Sequence, residues 1–282
     1  MTPFPGNLYH LERQVSSSTP VSSRLMGTFA FANQKGGVGK TTTAVNLGAC
    51  LAEEGFRVLL VDLDPQGNAT TGLGVDRRAV KVGTYEVLSG IDPREGVIGT
   101  GVDRLSILPS TIDLAGAEIE LVAAFARESK LRGCIADVRS DYDAILIDSP
   151  PSLGLLTINA LVAANGVIVP VQCEYLSLRG LVQLENTLSM IRENLNPEVG
   201  IEGILPTMYD KRTLHSREAV EILEENFGDL VYGTKIRKTI RYAEAPVKGS
   251  SVLKYDPTGS AAEAYRKLAK EVLNGAAPRE HA

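Results

Sequence analysis

The sequence predicts an α/β fold in which helices cover both faces of a doubly wound, mostly parallel sheet. Strand-like apolar runs alternate with helix-like stretches from Thr28 to about Leu273, which is the pattern of such a sheet. The run "RVLLVDLD" at 57–64 is apolar almost throughout, as is typical of a strand buried on both faces. A chain of 282 residues, 44% of them apolar, is long enough for one large domain of this class.

The predicted elements follow one another in a regular order. A strand over 28–33 leads to a helix over 40–54, which stops at Gly55 as a helix does before a C-cap glycine. The further strands are "RVLLVDLD", "LSILP", "DAILIDS", "GVIVPVQ" and "GIEGILPT". Helices are predicted between them over 113–127, 152–164, 177–193 and 213–226, and a last helix over about 258–273.

Composition separates the folded domain from its ends. Residues 1–27 contain Pro, Ser and Thr without sustained periodicity and predict a flexible tail, with a short partner-binding segment as the alternative. The folded domain is expected over 28–274, and 275–282 is expected to be a frayed tail. No signal peptide and no apolar run of about 18 residues are found, so we expect a cytoplasmic protein without a membrane partner.

Charge and cysteine content exclude several classes of function. A net charge of −5 argues against a globally basic nucleic-acid binder, although it permits a local basic patch. Cys50, Cys134 and Cys173 lie far apart, which does not suit a metal site or a disulfide framework. We therefore expect buried, inert thiols in a reducing compartment.

The segment "NQKGGVGKTTT" at 33–43 departs from the usual phosphate loop in one place. That loop follows G-x-x-x-x-G-K-[ST] between a strand and a helix. The second half is matched by "GKT" at 39–41, but Gln34 stands at the first glycine position. The neighbouring glycines at 36–37 must supply the flexible backbone. Since a strand precedes the loop and a helix follows it, the segment predicts a P-loop NTPase.

The loop residues have distinct expected roles. Its backbone N–H groups and the positive end of the helix bind an anion. Lys40 is expected to reach the β- and γ-phosphates, the Thr41 hydroxyl to hold Mg²⁺, and Thr42 to contact the α-phosphate. The implied cofactors are ATP and Mg²⁺. The nucleotide-binding residues that the loop itself predicts are Gly36, Gly37, Val38, Gly39, Lys40, Thr41 and Thr42.

Carboxylates follow two of the predicted strands, at the edge of an open sheet where ligands bind. Asp148 ends "DAILID" as a Walker-B aspartate does and is expected to bind Mg²⁺ through water. Asp62 and Asp64 alternate along an extended chain and should point to one face, Asp62 toward the Mg²⁺ shell. Asp64 is expected to orient or deprotonate the attacking water; its alternative role is to cap the turn over 65–67.

Three long segments carry a resemblance to a known family. They are "KGGVGKTTTAVNLGACLAEEGFRVLLVDLDPQGNATTGLG", "YDAILIDSPPSLGLLTINAL" and "EAPVKGSSVLKYDPTGSAAEAYRKLA". Together they resemble the ParA/Soj family of chromosome and plasmid partition ATPases, from about Thr28 to Leu273. The altered loop is shared with MinD and the nitrogenase iron protein, whereas "DLDPQGNAT" is more specific to ParA/Soj.

The resemblance implies a role for the second lysine of the loop. In this family the lysine that matches Lys35 crosses a homodimer interface and contacts the nucleotide of the other subunit, much as an arginine finger does in trans. Lys35, Lys40 and Asp64 are then the catalytic residues; the alternative for Lys35 is a solvated charge. The resemblance also places Pro246 against the adenine, with Met208 as a weaker candidate.

The resemblance further implies binding to double-stranded DNA without sequence preference, by the ATP-bound dimer. The clearest basic stretch is "TKIRKTIRYAEAPVK" at 234–248, and phosphate contacts there would be blind to sequence. Arg212 and Arg241 match family residues tied to DNA binding; an ordinary solvated surface is the alternative. The DNA-binding candidates are Arg212, Arg217, Lys235, Arg237, Lys238 and Arg241.

The leading hypothesis is an ATP-dependent dimeric switch that binds nucleoid DNA and segregates chromosomes or plasmids with a ParB-type partner, which accelerates a weak basal ATPase. A MinD-like membrane switch needs a basic amphipathic C-terminal helix, which "NGAAPREHA" at 274–282 does not suit. An iron–sulfur carrier needs cysteines at the two-fold axis. A ParA-like ATPase that positions a cargo other than DNA would keep every nucleotide motif.

Overall fold

The computed structural model describes residues 27–174 and 177–274. The predicted tails, 1–27 and 275–282, lie outside these residues except for Gly27, which begins the first strand. The predicted domain boundaries stay a prediction.

Within the described residues, one seven-stranded sheet forms the centre of the molecule. Its strands are β1 Gly27–Phe31, β2 Val58–Asp62, β3 Ile98–Gly99, β4 Leu105–Leu108, β5 Ala144–Asp148, β6 Gly166–Gln172 and β7 Gly200–Thr207. They lie in the order β3-β4-β2-β5-β1-β6-β7. Every neighbouring pair is parallel except β3 with β4, which confirms the mostly parallel α/β sheet.

Successive side chains of the central strands enter different cores, because they point to opposite faces of the sheet. In β5, Ile145 and Ile147 belong to one buried cluster, and Ala144 and Leu146 belong to the other. The same alternation holds in β2. Both faces are thus covered, and this explains why the strands read as continuous apolar runs.

The long helices lie close to their predicted positions, but the one predicted over 113–127 is wrong at its end. It stops at Ala123, Ala126 adopts a left-handed φ of 51°, and an unpredicted helix Lys130–Ala136 follows. The other long helices are Lys40–Glu53, Leu155–Ala163, Ser177–Asn194, Leu214–Phe227 and Ser260–Asn274. The short helices Asn68–Gly72, Thr84–Leu88, Pro93–Gly96, Arg241–Val247 and Val252–Tyr255 were not predicted.

The carboxyl ends of β1, β2 and β5 meet at one edge of the sheet. Asp148 lies opposite Phe31 on one side and Asp62 on the other in the strand register. The loop after β1 therefore begins next to both buried carboxylates, which is the edge where open α/β sheets bind ligands. Within the described residues, no helix has the combined length and apolar character needed to cross a membrane.

Candidate functional site

The loop between β1 and the helix Lys40–Glu53 has the backbone of an anion cradle. Gly37 and Gly39 adopt φ values of 73° and 94°, in the left-handed region where a side chain would be strained. The Val38 carbonyl accepts a hydrogen bond from the Thr207 hydroxyl at 2.8 Å, which ties the loop to the end of β7. The helix begins at Lys40, so its positive end faces the cradle.

Lys40 is held inside this cradle. Its side chain is buried, and its Nζ donates to the Asn33 carbonyl at 3.0 Å and to the Lys35 carbonyl at 3.3 Å. Burial lowers the pKa of the Lys40 ammonium, while the charges of Asp148 and Asp64 oppose that shift. A buried ammonium with two neutral acceptors and two nearby acids is well placed to bind a phosphate.

Asp148 is a buried carboxylate without a conventional partner. Neither of its oxygens has a hydrogen-bond partner in 27–174 or 177–274, although the Thr41 hydroxyl lies near enough to lower its pKa. Burial, and then the charge of Asp62, raises the pKa of Asp148 well above its usual range. An orphaned carboxylate of this kind is costly unless a cation binds it.

These donors suit Mg²⁺, which prefers a few protein oxygens completed by water and phosphate. Asp148 and the Thr41 hydroxyl would hold the ion, and Asp62 would support them. When bound, Mg²⁺ neutralises phosphate charge. Within the described part of the chain, no group of three or more His, Cys, Asp or Glu side chains is arranged to hold a metal by itself, so phosphate oxygens would have to complete this site. The buried Cys50 and Cys173 stay thiols, because burial raises the pKa of each to about 12.

Asp62 is positioned by a residue that the sequence did not reveal. Its Oδ2 accepts from the Thr70 hydroxyl at 2.6 Å and from the Thr70 amide at 2.8 Å. Burial raises the pKa of Asp62 to about 6, even though the Thr70 hydrogen bonds favour its ionised form. Asp62 is thus fixed before any ligand arrives. No spacing rule links it to a threonine eight residues later.

Asp64 caps the turn that follows β2, which is the alternative role that the sequence offered for it. Its Oδ1 accepts from the Gln66 amide at 2.9 Å, and its carbonyl accepts from the Ser110 hydroxyl at 2.8 Å. The other oxygen, Oδ2, accepts no hydrogen bond within the described residues and remains available to water. The cap therefore orients the carboxylate and leaves it one oxygen for chemistry. β2 ends at Asp62, and Asp64 already belongs to the turn that follows it. The predicted extended chain, along which the two side chains would alternate, therefore reaches only Asp62.

Arg77 clamps the same turn and was also missed. Its guanidinium donates to the carbonyls of Pro65 at 2.7 Å, Gln66 at 2.6 Å and Ser110 at 3.1 Å. Gly67 is required beneath it, because a Cβ there would lie 2.3 Å from Arg77 Nε. Three carbonyl contacts from one rigid, planar group fix the turn that carries Asp64.

Lys35 points away from the cradle of its own chain. Its Nζ pairs with Glu174 at 2.7 Å, and the two side chains are 47% and 55% exposed. Its amide is held by the Asn33 side chain at 3.0 Å. An exposed lysine outside its own phosphate site is compatible with a contact across an interface, and this role stays a prediction.

Replacing Glu174 by glutamine is expected to free Lys35 and raise basal ATP turnover modestly. An exposed ion pair contributes about 0.2–1 kcal/mol, so the increase should be roughly 1.5- to 5-fold at low salt and should vanish at high salt. Steady-state turnover of the variant at two ionic strengths measures this effect. Glu218→Gln, which changes an exposed carboxylate on the helix Leu214–Phe227, is the control. Lower turnover at low salt would show instead that Glu174 helps to aim Lys35.

The two adenine candidates lie in different surroundings. Met208 directly follows Thr207, which bonds to the phosphate loop, and it adopts a φ of 53°. Pro246 is exposed on the helix Arg241–Val247, where a Cβ at Gly72 would lie 3.7 Å from it. The contact of either residue with adenine stays a prediction.

The DNA-binding candidates differ in how free their charges are. Arg212 pairs with Asp210 at 2.8 Å and Lys235 with Glu224 at 3.4 Å. Arg241 pairs with Glu244 at 3.0 Å and with Asp256 at 3.4 Å, and it lies over the Tyr255 ring. By contrast, no carboxylate of the described residues pairs with the exposed candidates Arg217, Arg237 and Lys238.

Replacing Asp148 by asparagine is expected to stabilise the ligand-free protein above about pH 5. Because the folded-state pKa of Asp148 is raised, the folded chain binds the extra proton, and its unfolding free energy falls as pH rises from about 4, the unfolded pKa, through the folded pKa. The variant should remove that decline and gain about 1–3 kcal/mol at neutral pH.

Urea unfolding between pH 4 and 8 measures this difference. Asp103→Asn, a side chain that is 97% exposed, is the matched control and should leave the pH profile unchanged. Mg²⁺ with nucleotide should stabilise the wild type but not Asp148→Asn, by mass action. If the unfolding free energies of the wild type and of Asp148→Asn changed with pH in parallel, Asp148 would not be a buried carboxylate that lacks a partner until a cation binds it.

The chain is similar to known proteins far beyond the phosphate loop. Residues 26–201 match the family model described as an AAA domain. The sporulation initiation inhibitor protein Soj of Bacillus subtilis is 52% identical, over 86% of this chain and 96% of that protein. The chromosome partitioning protein ParA of Caulobacter vibrioides is 45% identical, over 90% and 96%. Cobyrinic acid a,c-diamide synthase from Mycobacterium smegmatis, solved with a bound ATP analogue and magnesium, is 42% identical with a TM-score of 0.77, over 88% and 94%.

Proposed function

Because this chain belongs to the ParA/Soj family of partition ATPases, we propose that it is an ATP-dependent dimeric switch that binds DNA without sequence preference. The chain is an ATPase of this family and uses ATP with Mg²⁺. In the proposal, two chains enclose two ATP molecules, and each Lys35 reaches the nucleotide of the other chain. Hydrolysis, accelerated by a ParB-type partner, releases the DNA and drives segregation of a chromosome or plasmid.

The observation that carries this proposal is the opposite orientation of the two loop lysines. Lys40 is buried against carbonyls of its own loop, whereas Lys35 lies outside on an exposed ion pair. A cation outside its own cradle can neutralise phosphate charge only on a neighbouring molecule. Dimerisation would also place two sets of exposed cations on one particle, which strengthens phosphate binding and makes it depend on ATP.

Retention of the purified chain on double-stranded DNA, with ATP, with ADP and without nucleotide, tests the proposal. We expect retention with ATP but not with ADP or without nucleotide, at low salt and on DNA of unrelated sequences. Equal retention in all three conditions would contradict a nucleotide switch. No retention in any condition would favour a ParA-like ATPase that positions another cargo.

Removing the two adjacent unpaired cations, Arg237→Ala with Lys238→Ala, should weaken DNA binding uniformly across sequences. Each lost phosphate contact lowers the salt slope by about 0.9, so the slope of log K against log[salt] should fall by roughly 2 per chain. Lys267→Ala, an exposed lysine on the last helix, is the control. An unchanged salt slope would remove this surface from the DNA interface.

Arg241→Ala is the informative comparison with that double variant. Arg241 already pairs with two carboxylates, so its contribution to DNA binding must exceed the loss of those pairs. A smaller change in salt slope than for the double variant is expected. A larger change would show that Arg241 leaves its partners to contact phosphate.

A further inference from the structure

The turn that carries Asp64 contains two peptide planes that both donate to that residue. The amide of Gln66 donates to Asp64 Oδ1 at 2.9 Å, and the amide of Gly67 donates to the Asp64 carbonyl at 2.8 Å. Because a trans peptide bond is planar, the carbonyl of each plane points the opposite way from its N–H. The carbonyls of these two planes, those of Pro65 and Gln66, therefore point away from Asp64.

Arg77 holds both of these carbonyls. Its Nη2 donates to the Pro65 carbonyl at 2.7 Å, and its Nη1 donates to the Gln66 carbonyl at 2.6 Å. One guanidinium group thus holds one end of each peptide plane, while the other end of each plane donates to Asp64. A charged donor on a peptide carbonyl polarises the plane and strengthens the hydrogen bond that its N–H makes. Arg77 therefore orients and strengthens both contacts to Asp64 through the backbone.

Ser110 connects the same guanidinium to the second carboxylate of the site. Its carbonyl accepts from Arg77 Nε at 3.1 Å, and its hydroxyl donates to the Asp64 carbonyl at 2.8 Å. Its amide donates to the Thr70 hydroxyl at 2.9 Å, and that hydroxyl donates to Asp62 at 2.6 Å. Thr70 and Ser110 are fully buried. A continuous hydrogen-bond network therefore holds the turn of Asp64 in place relative to Asp62, the residue expected to support Mg²⁺.

Gly67 makes the close approach of this guanidinium possible. A Cβ at Gly67 would lie 2.3 Å from Arg77 Nε and 2.5 Å from Arg77 Cζ, which is too close for either atom to stay where it is. Gly67 also has a φ of 62°, in the left-handed region that glycine adopts without strain. A side chain at this position would displace the guanidinium, so the turn depends on Gly67 and Arg77 together.

We propose that Arg77 is a positioning residue for ATP hydrolysis, which orients the Asp64 carboxylate through the two peptide planes. With Oδ1 held by the Gln66 amide, Oδ2 is directed to the attacking water. A small misplacement of a catalytic group lowers the rate strongly, whereas nucleotide affinity does not depend on that group. The hydrogen bonds of the Arg77 side chain go to the turn and to Ser110, so it acts on hydrolysis and not on binding. The proposal rests on the role proposed for Asp64 and not on DNA binding.

The first test is single-turnover hydrolysis of Mg²⁺-ATP by Arg77→Ala in the full chain without DNA, with protein in excess over radiolabelled ATP. The rate constant should fall about 10- to 100-fold, as it does when a catalytic group is slightly misplaced. The dissociation constant of a non-hydrolysable analogue should stay within about two-fold of the wild type, because only the transition state is affected. Arg77→Lys offers one ammonium instead of a planar fork and should recover only part of the rate. Arg78→Ala, at the exposed neighbouring position, is the control and should change neither quantity.

The second test asks whether Arg77 acts through Asp64. Two changes that remove the same function are not additive, so Arg77→Ala should lower the rate of Asp64→Asn little or not at all. Gly67→Ala displaces the guanidinium from the other side and should lower the rate as well, with little further loss when Arg77→Ala is added. Guanidinium ion at a non-denaturing concentration should restore part of the rate of Arg77→Ala, and sodium chloride at equal ionic strength should not.

Three results would overturn the proposal. Arg77→Ala could hydrolyse ATP as fast as the wild type, or it could lose nucleotide affinity in proportion to its rate, which would make Arg77 a binding residue. Arg77→Ala could also slow Asp64→Asn as much as it slows the wild type, which would mean that it acts elsewhere. Wild-type retention on DNA with ATP reports on the proposed function alone. A chain that was not retained, but in which Arg77→Ala slowed hydrolysis through Asp64, would contradict the DNA switch and support the positioning role.

Discussion

Replacing Lys40 by alanine is expected to abolish ATP binding. The Lys40 ammonium is buried, is held by two loop carbonyls, and lies close to two carboxylates. A phosphate in the cradle would replace neutral acceptors by a charged one, which is the stronger hydrogen bond. Removing one partner of a buried charge pair costs roughly 2–5 kcal/mol, so the dissociation constant should rise about 30-fold to several thousand-fold.

Isothermal titration with a non-hydrolysable ATP analogue and Mg²⁺ measures this loss. Lys267→Ala removes an exposed lysine and should bind as the wild type does. A thermal melt of Lys40→Ala must accompany the titration, because the variant loses the cation near Asp148 and its folding has to be checked. A folded variant with an unchanged dissociation constant would show that the loop does not hold the phosphates as we infer.

The central strands and the phosphate loop could be predicted because their signals are local. β2 and β5 are buried on both faces, so each appears as an uninterrupted apolar run ending in an aspartate. The loop could be located because glycine adopts without strain the left-handed backbone that is seen at Gly37 and Gly39. Parallel strands then bring their carboxyl ends together, so the proximity of Asp62 and Asp148 followed from the fold class.

The errors have equally local causes. The helix predicted over 113–127 was too long because apolar residues continue on both of its sides as far as Phe125, and periodicity gives no end signal there. The helix Asn68–Gly72 and the two-residue strand β3 are too short to show any period. Such short pieces are stabilised by tertiary packing rather than by their own sequence.

The supporting residues of the site could not be found from spacing. Arg77 reaches backbone carbonyls on two different segments, and a contact with a carbonyl leaves no requirement on the identity of the residue contacted. Thr70 binds Asp62 only because the chain turns back after Gly67. Glu174 lies 139 residues from Lys35 and meets it because β6 lies next to β1. These contacts depend on the assembled sheet, and a sequence pattern contains no record of them.

Replacing Asp64 by asparagine should leave ATP binding intact and remove most of the hydrolysis. The amide oxygen can still accept from the Gln66 amide, so the turn and its Arg77 clamp should remain. What is lost is the anionic oxygen that orients or deprotonates water, a role that contributes about 10²- to 10⁴-fold. We therefore expect kcat to fall at least about 100-fold, with KM close to that of the wild type.

Single-turnover hydrolysis and nucleotide titration on the same variant separate catalysis from binding. Asp76→Asn is the matched control, because Asp76 caps a similar turn through the Arg78 amide at 3.0 Å yet lies on the exposed surface. Asp64→Ala removes the cap as well, so it should lose both hydrolysis and the fixed geometry of the turn. If asparagine kept wild-type turnover while alanine did not, the cap and not the carboxylate would be what hydrolysis requires, and another group would have to activate the water.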